Sequence, residues 1–308
     1  MTTATPYALY LSRLSVNSQR SISSQMRSIA RLMQWQDSML DDKLCQIDYQ
    51  QALQIRAVMT HAKWSPRSIN RAMISIKNIV KVAALMDKAE LSQVANLQTI
   101  NQVKHGEHLG TPLSTEQVTA VFTYFKSQRS TLAMRNLAIF SLFLGTGLRR
   151  SELSALMLHD YDNVTHSLVV AAGKGNKSRT LFLPVWVEEN LQAWVKVRSR
   201  QHGYLLCKST LTGKLTLGVP TSPTSLYRLV KDTLYELGVD NVSPHDLRRT
   251  FITRLLEQNV DINTVRQMAG HADISTTTIY DKRDNAFMKQ AASVLDYTPP
   301  LKQTKRGR

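Results

Sequence analysis

Four segments in the second half of the chain concentrate residue types that handle phosphate groups. They are GTGLRRSEL (145–153), GKGNKSR (173–179), HDLRRTF (245–251) and GHADISTTTIY (270–280). Cleaving a phosphodiester requires a nucleophile, donors for the oxyanion charge, an acid for the leaving oxygen and a base. Arginine binds phosphate oxygens through its planar fork, and a phenol, with an ordinary pKa of about 10, attacks once it is deprotonated. Together, the segments supply every group needed for metal-free phosphodiester cleavage.

Taken singly, each segment has an ordinary explanation. Arginines at helix starts and lysines in turns are usually solvated, and His245 could cap a helix that begins after Ser243 and Pro244. His271 could be a turn histidine, and Tyr280 could be a packing residue. The run GKGNKS lacks both the spacing and the strand-to-helix context of a phosphate-binding P-loop. The chemical interpretation therefore depends on the combination.

The overall charge predicts a polyanionic partner. The 308 residues carry a formal net charge of +16 with an isoelectric point near 10.0. Residues 1–110 hold 13 Lys and Arg against 7 Asp and Glu, so the charge is not confined to one part. The most apolar stretch, Leu137–Leu148, is too short to span a bilayer, and the N-terminus lacks a signal-peptide pattern. The exclusion of a membrane span leaves nucleic acid as the expected partner. Cys45 and Cys207 have no metal-binding or disulfide spacing, which suits a reducing cytosol.

The first hundred residues are predicted to be entirely helical. Apolar residues recur at helical spacing over Ser18–Met39 and Gln51–Ala62, and Ser65 with Pro66 is a capping signal for a third helix. The segment NQVKHGEHLGTP, residues 101–112, contains two glycines and a proline and is predicted to be a linker. We therefore expect a helical domain over residues 1–100.

The remainder is predicted to be mainly helical with one small β-sheet. Two β-rich runs, Ser167–Ala172 and Arg179–Leu183, flank GKGNKS and predict a hairpin. A catalytic domain is expected over residues 113–283, followed by a helix and basic tail over 284–308. The predicted helices are Ser114–Gln128, Ala133–Leu144, Ser151–Leu156, Val185–Arg198, Ser222–Leu237, Pro244–Gln258, Ile262–Met268 and Asn285–Val294.

The motifs resemble those of the tyrosine recombinase, or phage integrase, family, particularly its short two-domain Xer-like members. The family pattern is an Arg in G-[LM]-R-x-[SG]-E-[LI], a Lys in a hairpin turn, H-x-x-R, G-H, and a Tyr nine residues after that His. The resemblance covers almost the whole chain and is strongest from Ser114 to Tyr280. It implies an all-α core-binding (SAM-like) domain and a mixed α/β catalytic domain of the tyrosine recombinase and type IB topoisomerase type. The matching residues are Arg149, Lys174, His245, Arg248, His271 and Tyr280, with Glu152 as the accompanying acidic residue.

The resemblance and the chemistry together imply a role for each group. Tyr280 is expected to attack the scissile phosphate, giving a 3′-phosphotyrosine and a free 5′-hydroxyl. Arg149 and Arg248 are expected to bind the nonbridging oxygens. His245 is the expected proton acceptor, and His271 is expected to hydrogen-bond a nonbridging oxygen.

The hairpin lysines and the charged residues next to the arginines are also expected to have roles. Lys174 is the expected general acid for the leaving oxygen, with Lys177 of the same turn as the alternative. Glu152 is expected to orient Arg149 or His245. Arg150 and Arg249 directly follow the two phosphate-binding arginines, Arg149 and Arg248. Both are expected to point away from the site, to the DNA backbone or the surface.

The resemblance also implies partners and biological setting. Expected are duplex DNA with specific recombination sites, a homotetramer acting through a Holliday junction, and accessory proteins in some systems. The helix after Tyr280 is expected to dock into a neighbouring protomer. Neither a metal nor another cofactor is expected, and the location is the prokaryotic cytoplasm, at the nucleoid.

Other functions use the same scaffold. A type IB topoisomerase-like enzyme would relax DNA without exchanging partners, and a non-catalytic regulator would only bind DNA. Among recombinases, integration, excision and replicon-dimer resolution share this chemistry. HDLRRTF replaces the HxLRHSF common in Xer-type resolvases, which favours a mobile-element recombinase.

Overall fold

The computed structural model describes residues 4–104, 111–171 and 178–280. The chain divides into two compact units, residues 1–108 and 109–308. In the described part, no helix is long and apolar enough to cross a membrane.

The first unit is helical throughout its described residues, 4–104. Side chains cap four of its helices: Thr5, Ser15, Asp48 and Ser65 each accept a hydrogen bond from a backbone N–H in the first turn. The longest helix is central, because it contacts each of the other five and contributes fully buried residues such as Ile76 and Ile79. The helices are α1 (Pro6–Ser12), α2 (Val16–Leu32), α3 (Leu40–Cys45), α4 (Tyr49–His61), α5 (Pro66–Ala84) and α6 (Leu91–Gln98).

The helix predicted over Ser18–Met39 ends earlier than expected. α2 stops at Leu32, and Gln34 adopts a left-handed backbone with φ of 55°. The N–H of Trp35 then donates to the carbonyl of Ala30 at 2.8 Å, which closes the helix end. Apolar periodicity continues past this point and so predicted a longer helix. The short helices α1, α3 and α6 were not predicted individually.

The second unit is mainly helical with two small antiparallel sheets. Its central helix, α8, is buried along almost its whole length and packs against α7, α10 and α12. The strands β1, β2 and β3 form one sheet, in which Val170 pairs with Arg179. The elements are α7 (Thr115–Lys126), α8 (Thr131–Thr146), α9 (Arg150–Ala155), β1 (Tyr161–Asp162), β2 (Ser167–Val170), β3 (Arg179–Phe182), α10 (Val185–Arg198), β4 (Cys207–Ser209), β5 (Leu215–Pro220), α11 (Pro223–Glu236), α12 (Pro244–Glu257), α13 (Ile262–Ala269) and α14 (Ser275–Thr278).

This architecture confirms the predicted class, mainly α with a small sheet, but adds a second sheet. The β4–β5 hairpin was not predicted because β5 is only partly buried and contains a glycine and a proline, both uncommon in strands. The predicted hairpin is present as β2 and β3, while its turn, residues 172–177, lies outside the described residues.

Candidate active site

A tight turn between α8 and α9 places Arg149. Gly147 ends α8 with φ of 62°, and an added Cβ would lie 2.3 Å from Cδ1 of Phe251, so the position requires glycine. Arg149 then occupies the N-cap position of α9, where its backbone N–H donates to Glu152 Oε2 at 2.8 Å. Its guanidinium donates to Glu152 Oε1 at 3.0 Å and to the carbonyl of Gly270 at 2.9 Å. Arg149 is therefore joined to the segment that carries the second histidine.

Arg248 lies on α12 with its charge buried. The residue is 2% exposed, and its Nη1 donates to the carbonyl of Gly147 at 2.8 Å. Its Nη2 has no hydrogen-bond partner among the described residues. Burial, followed by the nearby charge of Arg149, lowers the pKa of Arg248 to about 10, so it remains a cation at neutral pH. A buried cation with a free donor is suited to an anionic ligand.

The two arginines and His245 converge on one pocket of about 380 Å³. His245 follows Pro244 in the first turn of α12. Burial, then the charges of Arg249 and Arg248, lower the pKa of His245, so its imidazole is neutral at pH 7 and can accept a proton. The lining residues are Leu148, Arg149, Arg150, Ser151, Tyr227, Ser243, Pro244, His245 and Arg248.

His271 is held in a neutral state. Gly270 ends α13 with φ of 67°, and the next residue, His271, is 6% exposed with its Nδ1 2.9 Å from Thr277 Oγ1. Burial, then the charges of Arg248 and Arg149, lower the pKa of His271 to about 4. A neutral imidazole keeps one N–H donor, which can hydrogen-bond an oxygen without adding charge.

The lowered pKa of His271 predicts a pH-dependent stability. The unfolded chain binds a proton near pH 6.5 and the folded chain only near pH 4, so this contribution is complete above pH 6.5 and is lost as pH falls towards 4. We expect wild type to lose about 2–3 kcal/mol more than His271→Gln over that interval. Urea unfolding of both proteins from pH 7 to pH 4 measures the difference, and parallel curves would contradict it.

Tyr280 is packed into a small apolar cluster and is not among the residues that line the pocket. The residue is 8% exposed, and its ring centroid lies 6.5 Å from that of His271. Its apolar neighbours in the cluster are Phe251, Ile252, Leu256, Val265 and Ala269. The structure thus places the expected nucleophile beside the second histidine but in a buried position.

Arg179, the first residue of β3, was not predicted to belong to the site. Its guanidinium holds both carboxylate oxygens of Glu152, at 3.1 and 3.0 Å, and its Nε donates to the carbonyl of Met268 at 3.1 Å. Burial alone would raise the pKa of Glu152, but hydrogen bonds from Arg179 and the Arg149 backbone hold it below its ordinary value. Glu152 therefore contacts Arg149, one of its two expected partners, and is itself held in place by Arg179.

The sequence does carry a signal for Arg179. Arg179 is the last residue of the GKGNKSR segment. Glu152 is the one glutamate in the four segments, which contain several arginines. Only the fold brings Arg179 opposite Glu152, since β3 and α9 are far apart in the chain.

The Arg179–Glu152 pair is expected to be important for stability. Both side chains are largely buried, at 12% and 13% exposed, so removing Arg179 takes two hydrogen bonds from the Glu152 carboxylate and leaves it only the more exposed Arg149 as an ion-pair partner among the described residues. Arg179→Met should lower the free energy of unfolding by about 3 kcal/mol, and adding Glu152→Met should recover part of it. Chemical denaturation of the single and double variants measures this coupling. Additive losses in the double variant would contradict a direct interaction.

The prediction that Arg249 points away from the site is wrong. Its guanidinium is buried, with Cζ 5.3 Å from the centroid of the Tyr280 ring. The reason is that every residue from 246 to 253 of α12 is buried, so this part of the helix has no solvent face for Arg249 to occupy.

Arg150 is exposed, with Cζ 5.7 Å from the centroid of the Tyr227 ring. Lys174 and Lys177 lie outside the described residues.

Comparison with known proteins identifies the class. The sequence profile of the phage integrase family matches residues 111–286. Tyrosine recombinase XerA of Pyrococcus furiosus is 30% identical over 240 residues, covering 78% of each chain. Tyrosine recombinase XerC of Pseudomonas putida is 30% identical over 266 residues, covering 85% of this chain and 83% of the relative.

Solved structures share the fold. The Tn1549 transposon integrase in complex with transposon right end DNA superposes with a TM-score of 0.71 at 19% identity, covering 94% of this chain and all of that one. XerH recombinase bound to a palindromic difH substrate gives a TM-score of 0.64 at 22% identity, covering 80% and 72%. The chain therefore belongs to the phage integrase family. It is a tyrosine site-specific recombinase, which confirms the family and the enzyme class predicted from the motifs.

Proposed function

We propose that the protein cleaves and rejoins duplex DNA by attack of Tyr280 on the scissile phosphate. The observation that carries the proposal is the pocket in which Arg149, Arg248 and His245 converge, with the buried Nη2 of Arg248 left unpartnered. A phosphate oxygen would supply the missing acceptor. The bond between phosphorus and the 5′-oxygen breaks while the phenol oxygen bonds to phosphorus, giving a 3′-phosphotyrosine.

The described residues support a division of roles. Arg149 and Arg248 would neutralise the nonbridging oxygens, and the neutral His271 would donate a further hydrogen bond. His245 would take the phenol proton, because its lowered pKa leaves the imidazole unprotonated and able to accept a proton at pH 7. Lys174, with Lys177 as the alternative, would return a proton to the departing 5′-oxygen. The balance requires no metal, and the ester keeps the energy for rejoining.

The buried position of Tyr280 adds a step before chemistry. Because Tyr280 is 8% exposed and does not line the pocket, the segments around its ring must rearrange before a phosphate reaches the phenol oxygen. DNA binding or a neighbouring protomer would have to stabilise the rearranged state. The protein would therefore become active in cleavage only when it is bound to DNA.

Strand exchange would require several protomers. We propose a tetramer that joins two DNA sites through a Holliday junction, with residues 1–100 and 113–283 as two DNA-binding domains joined by 101–112. The segment 284–308 would dock into a neighbouring protomer. Its apolar residues, Phe287, Met288, Ala291, Ala292 and Leu295, have the spacing of an amphipathic helix. The proteins would act on DNA in the prokaryotic cytoplasm.

The biological role is proposed to be movement of a mobile element. Arg249 stands where Xer-type resolvases commonly have histidine, which favours this role. Replicon-dimer resolution is the second candidate, and the similarity to XerA and XerC recombinases favours it.

Covalent capture of DNA tests the proposal. Wild-type protein is incubated with a random pool of nicked suicide duplexes, and protein–DNA adducts are isolated on a denaturing gel and sequenced. We expect an adduct on one recurrent sequence, formed equally well in EDTA. Failure to capture any DNA, or loss of the adduct in EDTA, would contradict the mechanism.

The captured sequence also distinguishes the roles. Sites at both ends of an element would support a mobile-element recombinase, and one site per replicon would support dimer resolution. A plasmid carrying two captured sites should be inverted or deleted. Relaxation without either product would indicate a type IB topoisomerase-like enzyme, and DNA binding without any adduct would indicate a regulator.

A further inference from the structure

Arg249 carries a buried charge that the proposed reaction leaves unused. Its side chain is 9% exposed, and its Nε and Nη1 have no hydrogen-bond partner among the described residues. The nearest carboxylate oxygen, Oδ1 of Asp246, lies 3.6 Å from Nη1. The other oxygen of Asp246 accepts from the backbone and hydroxyl of Ser243, at 3.0 and 2.8 Å, and so caps α12. A guanidinium paired so loosely is costly to bury, which calls for a compensating interaction.

The ring of Tyr280 provides that interaction. The Arg249 Cζ lies 5.3 Å from the ring centroid, within the range of a cation–π contact. When a phenol loses its proton, the negative charge spreads into the ring, and the contact becomes an attraction between opposite full charges. The same contact is therefore stronger for the ionised than for the neutral phenol, which is the condition for a rate effect.

We propose that Arg249 is a positioning residue for the nucleophile, which stays in contact with the ring of Tyr280 through the rearrangement that exposes the phenol and stabilises the charge that develops on the ring during attack. This rests on the proposed function. In the proposed step the phenol proton passes to His245 and not to Arg249. The Arg249 charge also lowers the pKa of His245, after burial, and so keeps that acceptor neutral.

The groups around the pair permit a pH test. Arg249 has Asp246 and Arg248 beside it on α12, and Arg248, whose pKa is lowered to about 10, remains a cation from about pH 6 to about pH 9. His245 and His271 have lowered pKa values and are neutral over most of that range. A rate limb that rises towards high pH therefore reports deprotonation of the nucleophile, whereas deprotonation of the general acid gives a falling limb, and Arg249 is expected to move only the rising limb.

The test is the single-turnover rate of adduct formation on the captured suicide duplex, measured from about pH 6 to about pH 9. Arg249→Met should lower the rate roughly 10²-fold at neutral pH, the value for two charges about 5 Å apart at an effective dielectric constant near 20. Its rising limb should move to higher pH. Arg249→Lys retains the charge and should stay within about 10-fold of wild type with a similar profile.

Two further variants separate this role from a structural one. Asp246→Asn removes the ion pair but leaves the cation on the ring, so its profile should match wild type. Arg254→Met alters an exposed arginine on the same helix and is the matched control. A slower Arg249→Met enzyme with an unshifted profile would overturn the proposal, as would an Asp246→Asn enzyme that behaves like Arg249→Met.

These outcomes remain decisive if Arg249→Met does not fold. Arg249→Lys and Asp246→Asn must then both keep the wild-type profile, and a shift in either contradicts the proposal. Failure of wild type to capture DNA would instead reject the proposed function itself, so the two failures are distinguishable.

Discussion

Replacing Tyr280 by phenylalanine is expected to abolish the covalent protein–DNA adduct while leaving DNA binding intact. The substitution removes only the attacking oxygen, and loss of a covalent nucleophile costs on the order of 10⁶ in rate. The ring remains available to pack against Phe251 and Val265, so the free energy of unfolding should change by less than about 1 kcal/mol.

The measurement compares adduct on a denaturing gel with binding by mobility shift. Tyr235→Phe is the matched control, because Tyr235 lies on α11 and is 70% exposed. It should capture DNA as wild type does. An adduct that persists in Tyr280→Phe would mean that another residue is the nucleophile.

Replacing Arg248 by methionine is expected to slow cleavage by roughly 10²–10³, the usual cost of losing one preorganised oxyanion donor. The effect on stability should be small or favourable, because the substitution removes a buried cation whose Nη2 is unpartnered. The hydrogen bond to the carbonyl of Gly147 is lost, which offsets part of that gain. A catalytic loss without a folding loss is the signature of a group placed for its ligand.

Arg248→Lys tests the geometry of the fork. A lysine keeps the charge but cannot bind two oxygens side by side, so it should restore only part of the rate. Single-turnover cleavage and urea unfolding of both variants, with Arg254→Met as control, give the two quantities. A wild-type rate in Arg248→Met would remove this arginine from the phosphate site.

The order and spacing of the chemical groups were readable from the sequence because each motif is local. A Gly at a left-handed position, an Arg that caps a short helix and a His after a proline are defined by residues within one turn. The family and the mainly helical fold follow from the same short-range patterns. The reason is that capping and periodicity act over three or four residues.

The burial and the contacts of those groups were decided only by the tertiary structure. Periodicity assigns one buried face to a helix, but α12 is buried over every residue from 246 to 253, which places Arg249 against Tyr280. Arg179 reaches Glu152 across 27 positions, and no local pattern records that pairing. Tyr280 could be named as a nucleophile from its spacing, yet its burial depends on the packing of α12, α13 and α14. Long-range contacts of this kind arise when chain segments meet in space, so the sequence determined which groups are present and the fold determined which of them touch.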